Sequence, residues 1–273
     1  MKLYNEIEGR INKLGKEYPE LLPLMQPTAK WFGVGGKKRV KNTFDQLVNN
    51  YIKRCHEDIP VIVIYNIPNR DLGSYSKGGA GSADDYLFFI NEMVQGLGEN
   101  SNAIVILEPD ALAQCGDDYD LLKFRTVLLL EACRQLKTTG AKIYIDIGHP
   151  GWLSPLGAAT VLYPFMGIVD GCSINVSNYW STEKCHEYAK DIYEQTELPS
   201  VIDTSRNGGD HDPAQWCNPT TQTRIGLIPT IDVEAPWVDA YLWIKVPGES
   251  DGTCNNGPKA GIFWLDYARR LAK

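Results

Sequence analysis

The sequence lacks the features that several protein classes require. Its longest apolar runs, at 61–65 and 127–130, are far shorter than the roughly 20 residues that cross a bilayer. The first eight residues include acidic side chains where a secretory signal is apolar, so we expect a chain that is cytosolic or already processed. An excess of basic charge is also missing. With 27 Lys and Arg against 34 Asp and Glu and a net charge of −7, the composition argues against nucleic acid as a ligand.

Signatures of metal and nucleophile chemistry are equally scarce. There are only four histidines, without an HxH or HExxH pattern, and the seven cysteines contain no CxxC pair, which argues against zinc sites and thioredoxin-type sites. No GxSxG or GK[ST] motif occurs, and the glycine-rich segment 33–38 has Lys38 where a dinucleotide fingerprint needs its third glycine. We therefore expect no cofactor and no metal, with magnesium as a minor alternative.

What is present is an alternation of strand and helix patterns over 273 residues. Short apolar runs that predict buried strands lie at 30–34, 61–66, 103–108, 142–147, 171–176, 200–204 and 240–245. Helical spacing appears at 38–56, 83–97, 118–138, 155–166, 181–196 and 258–273. Apolar strands separated by helices predict a parallel sheet. We expect an α/β fold, a distorted TIM-like barrel of about seven parallel strands, as a single domain over 1–273.

Carboxylates follow most of these predicted strands, at the edge where barrel enzymes carry their chemistry. They are Asp71, Glu108, Asp110, Asp146, Asp203, Glu249 and Asp251, accompanied by the basic residues Arg70, Arg206 and Lys245. A single Asp after a strand is usually a turn former or a helix cap. Five such strand ends indicate a cluster in which one carboxyl group donates a proton while another stays ionised. This arrangement serves glycoside hydrolysis, and it also serves a magnesium site.

Aromatic residues at the same strand ends favour a sugar ligand, because indole and phenol rings stack on the flat C–H faces of sugars. Trp31, Tyr65, Trp152, Trp180 and Trp216 lie in or just after the predicted strands. Trp152 and Trp216 stand in loops rich in glycine and asparagine, which favours a binding role. Trp243 and Trp264 fall inside a predicted strand and helix, where a core position is the usual one.

Seven sequence blocks stand at or near the predicted strand ends: YNIPNRD at 65–71, LEPD at 107–110, DIGHPGW at 146–152, NVSNY at 175–179, DTSRNG at 203–208, WC at 216–217 and WIKVPGESDG at 243–252. These blocks resemble glycoside hydrolase family 6, whose cellobiohydrolases and endoglucanases cleave β-1,4-glucan with inversion. They occur in the family's order from about Trp31 to the C-terminus. The resemblance implies a distorted seven-stranded barrel and a monomeric, secreted enzyme that acts on β-1,4-glucan chains and cello-oligosaccharides.

The resemblance also implies a role for each matching residue. Asp110 corresponds to the general acid, and Asp71 to the residue that keeps its proton in place and supports the oxocarbenium-like transition state. Tyr65 corresponds to the residue that presses the sugar at the cleavage point out of its chair. Asp251 corresponds to the candidate base, acting directly or through waters, since an inverting enzyme needs room for water between its carboxyl groups.

Further matching positions imply substrate binding. Those that bind sugar hydroxyls or hold the carboxylates are Arg70, Asp146, His149, Asn175, Lys245 and Glu249, and the stacking platforms are Trp31, Trp152 and Trp216. Ser76 corresponds to the hydroxyl of a water chain. Cys217 and Cys254 correspond to a family disulfide.

The sequence departs from the family pattern at two places. Leu72 replaces a cysteine that usually pairs with one near Cys115, so that disulfide is not expected, while a bridge between Cys172 and Cys185 stays open. The segments after Asp71 and Asp251 are also short, whereas tunnel-forming members carry long insertions there. We therefore expect an open cleft and endo attack, with a cellobiohydrolase or a catalytically inactive carbohydrate-binding barrel as the alternatives.

Overall fold

A computed structural model describes residues 2–6, 15–33, 43–220 and 222–273. Within these ranges, seven parallel strands form one sheet in sequence order. They are β1 (Lys30–Phe32), β2 (Val61–Ile64), β3 (Ile104–Leu107), β4 (Lys142–Asp146), β5 (Gly171–Ile174), β6 (Ser200–Asp203) and β7 (Val238–Leu242). The helices are α1 (Phe44–Cys55), α2 (Ala83–Leu97), α3 (Tyr119–Lys137), α4 (Pro155–Leu162), α5 (Thr182–Thr196) and α6 (Leu265–Leu271). The predicted α/β fold with seven parallel strands is confirmed.

The sheet curls so that its two edge strands approach each other. No strand pairing joins β7 to β1 in the described ranges. The backbone N–H of Ala29 donates instead to the carbonyl of Trp243 at 3.0 Å, and the indole N–H of Trp31 donates to the carbonyl of Ile244 at 2.8 Å. The barrel is therefore distorted, with a gap that single hydrogen bonds bridge.

Alternate residues of each strand enter different cores, because side chains of a strand point to opposite faces of the sheet. Ile62 and Ile64 of β2 pack in the outer core beneath the helices, while Val61 and Val63 pack inside the barrel. All four residues are buried. Burial on both faces explains why the strands read as uninterrupted apolar runs.

Element boundaries differ from the sequence prediction in three helices. Helix α1 begins at Phe44, and residues 38–42 of the predicted helix, like most of the glycine-rich segment, lie outside the described residues. Pro164 falls just after α4, where the chain continues as a 3₁₀ turn over Tyr163–Phe165. The last helix is confined to Leu265–Leu271, since Phe263 forms a β-bridge with Glu249.

The tryptophans expected in the core differ in burial. Trp243 is fully buried, whereas Trp264 stands half-buried as the residue preceding α6.

In the described part of the chain, no helix has the length and apolarity to span a bilayer.

The predicted disulfide between Cys217 and Cys254 is confirmed, with 6.1 Å between the two Cα atoms. It joins the loop that follows β6 to the loop that follows β7. Cys172 and Cys185 do not form a bridge, because the Cys172 thiol contacts the Ser200 hydroxyl while that of Cys185 donates to the Trp180 carbonyl. The remaining free cysteines, Cys55, Cys115 and Cys133, are buried as well.

Removing the disulfide should destabilise the protein. The bond closes a loop with a sequence separation of 37 residues, and for such a loop the chain-entropy model gives about 3–4 kcal/mol. Urea unfolding of C217S, C254S and the double variant measures the free energy of unfolding. We expect the double variant to be no less stable than either single variant, since the first substitution already breaks the bond. Additive losses would contradict this.

Candidate active site

The carboxyl ends of the strands surround a cleft of about 1320 Å³. Most of the residues selected from the sequence line it, namely Trp31, Tyr65, Arg70, Asp71, Ser76, Asp110, His149, Trp152, Trp216, Lys245, Glu249 and Asp251. Two do not. Asp146 and Asn175 are fully buried behind the cleft wall, which prevents them from contacting a ligand directly.

Asp110 and Asp146 form a pair of carboxyl groups with different surroundings. Asp146 accepts hydrogen bonds from the backbone N–H of Asp110 at 2.8 Å, from that of Gly148 at 2.9 Å and from the Ser173 hydroxyl at 2.8 Å. Burial raises the pKa of Asp146 to about 7, and these three donors oppose the rise. Because every contact is a donor, Asp146 is the member of the pair that loses its proton more readily.

Asp110 has the properties of a proton donor. Burial, followed by the charges of Asp146 and Asp71, holds the pKa of its carboxyl well above the usual value. Its Oδ1 is buried without a hydrogen-bond partner in the described part of the chain. A carboxyl group in this setting keeps its proton to a higher pH than an exposed aspartate does and can transfer it to a group in the cleft.

Asp71 lies on the loop that follows β2 and is held by two donors. The backbone N–H of Ser76 donates to its Oδ2 at 2.7 Å, and the Gln114 side chain donates to its Oδ1 at 3.2 Å. The loop folds back because the Arg70 guanidinium donates to the carbonyls of Ser76 and Tyr65. Arg70 thus holds this loop, and Ser76 contributes its backbone as well as a side chain at the cleft.

Glu108, which we did not select from the sequence as a site residue, supports the same loop from β3. Its carboxylate accepts from the backbone N–H groups of Asn66 and Ile67 at 2.9–3.0 Å. Burial raises the pKa of Glu108 to about 7, while these N–H groups lower it. The sequence shows Glu108 within the LEPD block, but a sequence block does not predict that the Glu108 side chain points away from the cleft.

Asp251 is an ionised carboxylate within a network of donors. Arg206 donates to Oδ1 at 2.7 Å, and Oδ2 accepts from the Tyr179 hydroxyl at 2.9 Å and the Asn218 backbone N–H at 3.1 Å. The Lys245 amine is 3.8 Å from Oδ1. Although burial opposes ionisation, these partners hold the pKa of Asp251 below its usual value. Sequence reasoning missed Tyr179 and Asn218 in this role.

His149 is a neutral ring in an aromatic stack. It lies between Trp152, with ring centres 4.4 Å apart, and Trp180, with ring centres 5.9 Å apart. Burial lowers the pKa of His149 to about 4. Its Nδ1 accepts from the Gly151 backbone N–H at 3.1 Å, so the ring proton is on Nε2. This wall of the cleft therefore offers a flat face and one N–H donor.

Asn175 serves the fold rather than the cleft. Its amide donates to the carbonyls of Trp180 and Asp203 and accepts from the backbone N–H of Trp180. It has a left-handed backbone with φ of 69°, which asparagine tolerates better than most residues. Of the two roles expected at these positions, binding sugar hydroxyls or holding the carboxylates, the burial and the contacts of Asn175 and Asp146 fit the second.

Tyr75 joins the loops that follow β2 and β7. Its ring lies edge-on to Trp216, with centres 6.3 Å apart, and packs on Gly252, where a Cβ would lie 2.5 Å from the ring. Both aromatic side chains are about half exposed, at 47% and 45%. The loops are short, as expected, yet they meet at the cleft through this contact, which loop length alone did not reveal.

Across the ranges that the structure describes, no group of three or more His, Cys, Asp and Glu side chains is arranged to hold a metal ion. The carboxylates of the cleft instead take their partners from backbone N–H groups, hydroxyls and cationic side chains.

Comparison with known proteins gives a consistent result. The model of the glycosyl hydrolases family 6 matches residues 23–273. Endoglucanase A of Cellulomonas fimi is 40% identical over 221 residues, which are 78% of this chain and 47% of that protein. Endoglucanase A of Thermobispora bispora is 36% identical over 256 residues, 90% of this chain and 54% of that protein. The chain thus spans about half the length of these relatives.

Among solved structures, the endoglucanase Cel6 of Mycobacterium tuberculosis superimposes with a TM-score of 0.89 at 34% identity. The match covers 99% of this chain and 96% of that one. That protein was solved in complex with methyl-cellobiosyl-4-deoxy-4-thio-β-D-cellobioside.

The elevated pKa of Asp110 should depend on Asp146. In D146N, the amide oxygen can still accept from the two backbone N–H groups while its NH₂ donates to Ser173, so the shape is kept and the charge is lost. We expect the pKa of Asp110 to fall by about one unit or more. A ¹³C NMR titration of labelled aspartate carboxyls, with the Asp110 signal assigned from D110N, measures it. The exposed change D120N is the control, and an unaltered Asp110 titration in D146N would refute the pairing.

Proposed function

The chain belongs to glycosyl hydrolase family 6, and from this membership we propose that it hydrolyses β-1,4-glucosidic bonds with inversion at the anomeric carbon. The observation that carries the proposal is Asp110, a carboxyl group held protonated at an aromatic-lined cleft. A buried acid facing a second, ionised carboxylate is the arrangement that glycoside hydrolysis requires. We also propose that residues 1–273 act as one catalytic domain.

Asp110 protonates the glycosidic oxygen as the bond to the anomeric carbon breaks. The leaving sugar departs with the new hydroxyl, and positive charge develops on the ring that stays behind. Asp71, held by Ser76 and Gln114, faces this charge and stabilises it. Tyr65 stays a neutral phenol, since burial raises its pKa further above the usual value, and it can press on the ring without adding charge.

Water attacks the opposite face of the ring and must lose a proton. Asp251 is the candidate acceptor, but Arg206, Tyr179 and Asn218 already bond to its two oxygens. A carboxylate with a lowered pKa and so many donors is a weak direct base. We therefore propose that Asp251 accepts the proton through intervening water. This agrees with the room that an inverting enzyme leaves between its carboxyl groups.

The substrate class follows from the cleft walls. Trp31, Trp152 and Trp216 offer faces for glucose rings, and Trp152 is backed by the stacked His149. The Nε2–H of His149 can donate to a sugar hydroxyl, and Lys245 and Glu249 add a cation and an acceptor to the lining of the cleft. These groups fit β-1,4-glucan chains and cello-oligosaccharides, the ligand class that the Mycobacterium tuberculosis relative binds.

We propose an endo mode of attack, favoured by the short loops at both rims and by the endoglucanase names of the relatives. One observation favours the alternative, a cellobiohydrolase. The contact of Tyr75 with Trp216 and Gly252 joins the loops across the cleft.

The site is complete within one chain, which favours a monomer, and the disulfide favours an oxidising compartment outside the cell.

Proton NMR of cellohexaose during the first minutes of digestion tests the chemistry. We expect α-anomeric reducing ends to appear first, and D110N to lose at least about a thousandfold in kcat because no other acid replaces Asp110. EDTA should leave the rate unchanged. Early β-anomer would exclude inversion, and cellohexaose binding without cleavage would favour the carbohydrate-binding barrel.

The mode of attack can be tested on a soluble polymer. With carboxymethylcellulose, we expect viscosity to fall steeply for each reducing end released, since internal cuts shorten chains most. Y75A opens the contact between the loops and should steepen the fall further, while Y119A, an exposed tyrosine on α3, should not. Cellobiose release with little loss of viscosity would establish the exo alternative.

A further inference from the structure

Arg125 reaches from α3, in the outer layer of helices, to the underside of the catalytic loops. Its side chain is fully buried. Nη1 donates to the carbonyl of Ala111 at 2.6 Å, and Nη2 donates to the carbonyl of Asn69 at 3.1 Å. Ala111 directly follows Asp110, and Asn69 precedes Asp71 by two residues. One guanidinium therefore connects the two loops that carry the proton donor and its partner carboxylate.

The loops that Arg125 connects have backbone conformations that need support. Asn69, Asp71 and Asp110 all lie in the left-handed region, with φ of 54°, 59° and 69°. Asn and Asp adopt this region more readily than other non-glycine residues, and the surrounding structure still has to select it over the extended and right-handed alternatives. The two bonds from Arg125 act next to these residues, and the planar guanidinium fixes the spacing between the two carbonyls.

The positive charge of Arg125 is itself unusual. Among the described residues, no carboxylate forms an ion pair with Arg125, and its Nε has no hydrogen-bond partner. Besides the two carbonyls, its guanidinium interacts with the Cys115 thiol, so this buried cation loses its hydration without the gain of an ion pair. The uncompensated charge lies against the backbone that directly follows Asp110.

Asp110 is the titratable group on which this charge acts. The groups that face it are Asp146 from β4, Asp71 and Tyr65 from β2 and its loop, and Arg125 from α3. The two carboxylates raise the pKa of Asp110, and Arg125 lowers it. Without Arg125, the acid would hold its proton more tightly and transfer it less readily.

We propose that Arg125 is a positioning residue for the reaction: its guanidinium fixes the Asp71 loop relative to the Asp110 loop and places a positive charge beside the backbone that carries Asp110. The proposal rests on the hydrolytic function proposed above. Arg125 does not contact the substrate, because its side chain is buried and lies outside the cleft.

Two substitutions separate the parts of this role. R125K keeps the charge but loses the paired donors, whereas R125Q loses the charge. With cellohexaose as substrate, we expect kcat to fall about tenfold or more in both, with KM little changed, because misplaced catalytic groups slow the chemical step. The pKa that defines the alkaline limb of the kcat–pH profile should rise by about one unit in R125Q and stay unchanged in R125K. R134Q, an exposed change on the same helix, should match the wild type.

A readout independent of turnover distinguishes this proposal from the function. The ¹³C titration of the Asp110 carboxyl should give a higher pKa in R125Q than in the wild type, whether or not glucan is cleaved. An inactive wild-type protein would refute the hydrolytic function, and the titration would still decide the effect of the Arg125 charge.

An unchanged Asp110 titration and an unchanged alkaline limb in folded R125Q would overturn the electrostatic role. Thermal unfolding identifies the variants that fold. If R125Q does not fold, R125K tests the positioning role alone. A reduced kcat with an unchanged alkaline limb of the pH profile supports that role, and a kcat equal to that of the wild type overturns it.

Discussion

Buried carboxylates at the strand ends hold the catalytic loops in place, and the rest of the site depends on them. Glu108 after β3 accepts backbone N–H groups from the loop after β2, and Asp146 at the end of β4 accepts the N–H of Asp110 from the loop after β3 and that of Gly148 from its own loop. Asp203 at the end of β6 accepts from Ser177 on one side and Lys245 on the other. These three strands thus fix loops of their neighbours, because buried N–H groups and buried charges must both find partners.

The same device produces two carboxyl groups of opposite character in the cleft. Asp110 donates its backbone N–H to Asp146, while its own Oδ1 has no partner among the described residues, so burial and the charge of Asp146 raise the pKa of its carboxyl. Asp251 receives Arg206 and two other donors and therefore stays ionised. The difference arises from the partners rather than from the residue type, as acid and base assignments in enzymes generally do.

The sequence predicted the scaffold well, because its signals are local. Runs such as 61–64 and 104–107 are apolar throughout, as strands buried on both faces must be, and a carboxylate after each run could be read directly. The side of the wall on which a side chain lies is a tertiary property. Asp110 faces the cleft and Asp146 does not, although both follow a strand. Tyr75 gave no signal of its contact with Gly252, since the partners are far apart in the chain.

The residues that adjust the site come from elements that the strand-end pattern does not reach. Arg125 lies on α3, and Tyr267, whose hydroxyl is 2.6 Å from that of Tyr179, lies on α6. Neither lines the cleft, and both contact groups that adjoin or bond to the cleft carboxylates. A buried polar side chain on an outer helix needs a partner on the sheet side, since water cannot satisfy it there. Where that partner is the backbone of a catalytic loop, the helix layer contributes to the chemistry as well as to the core.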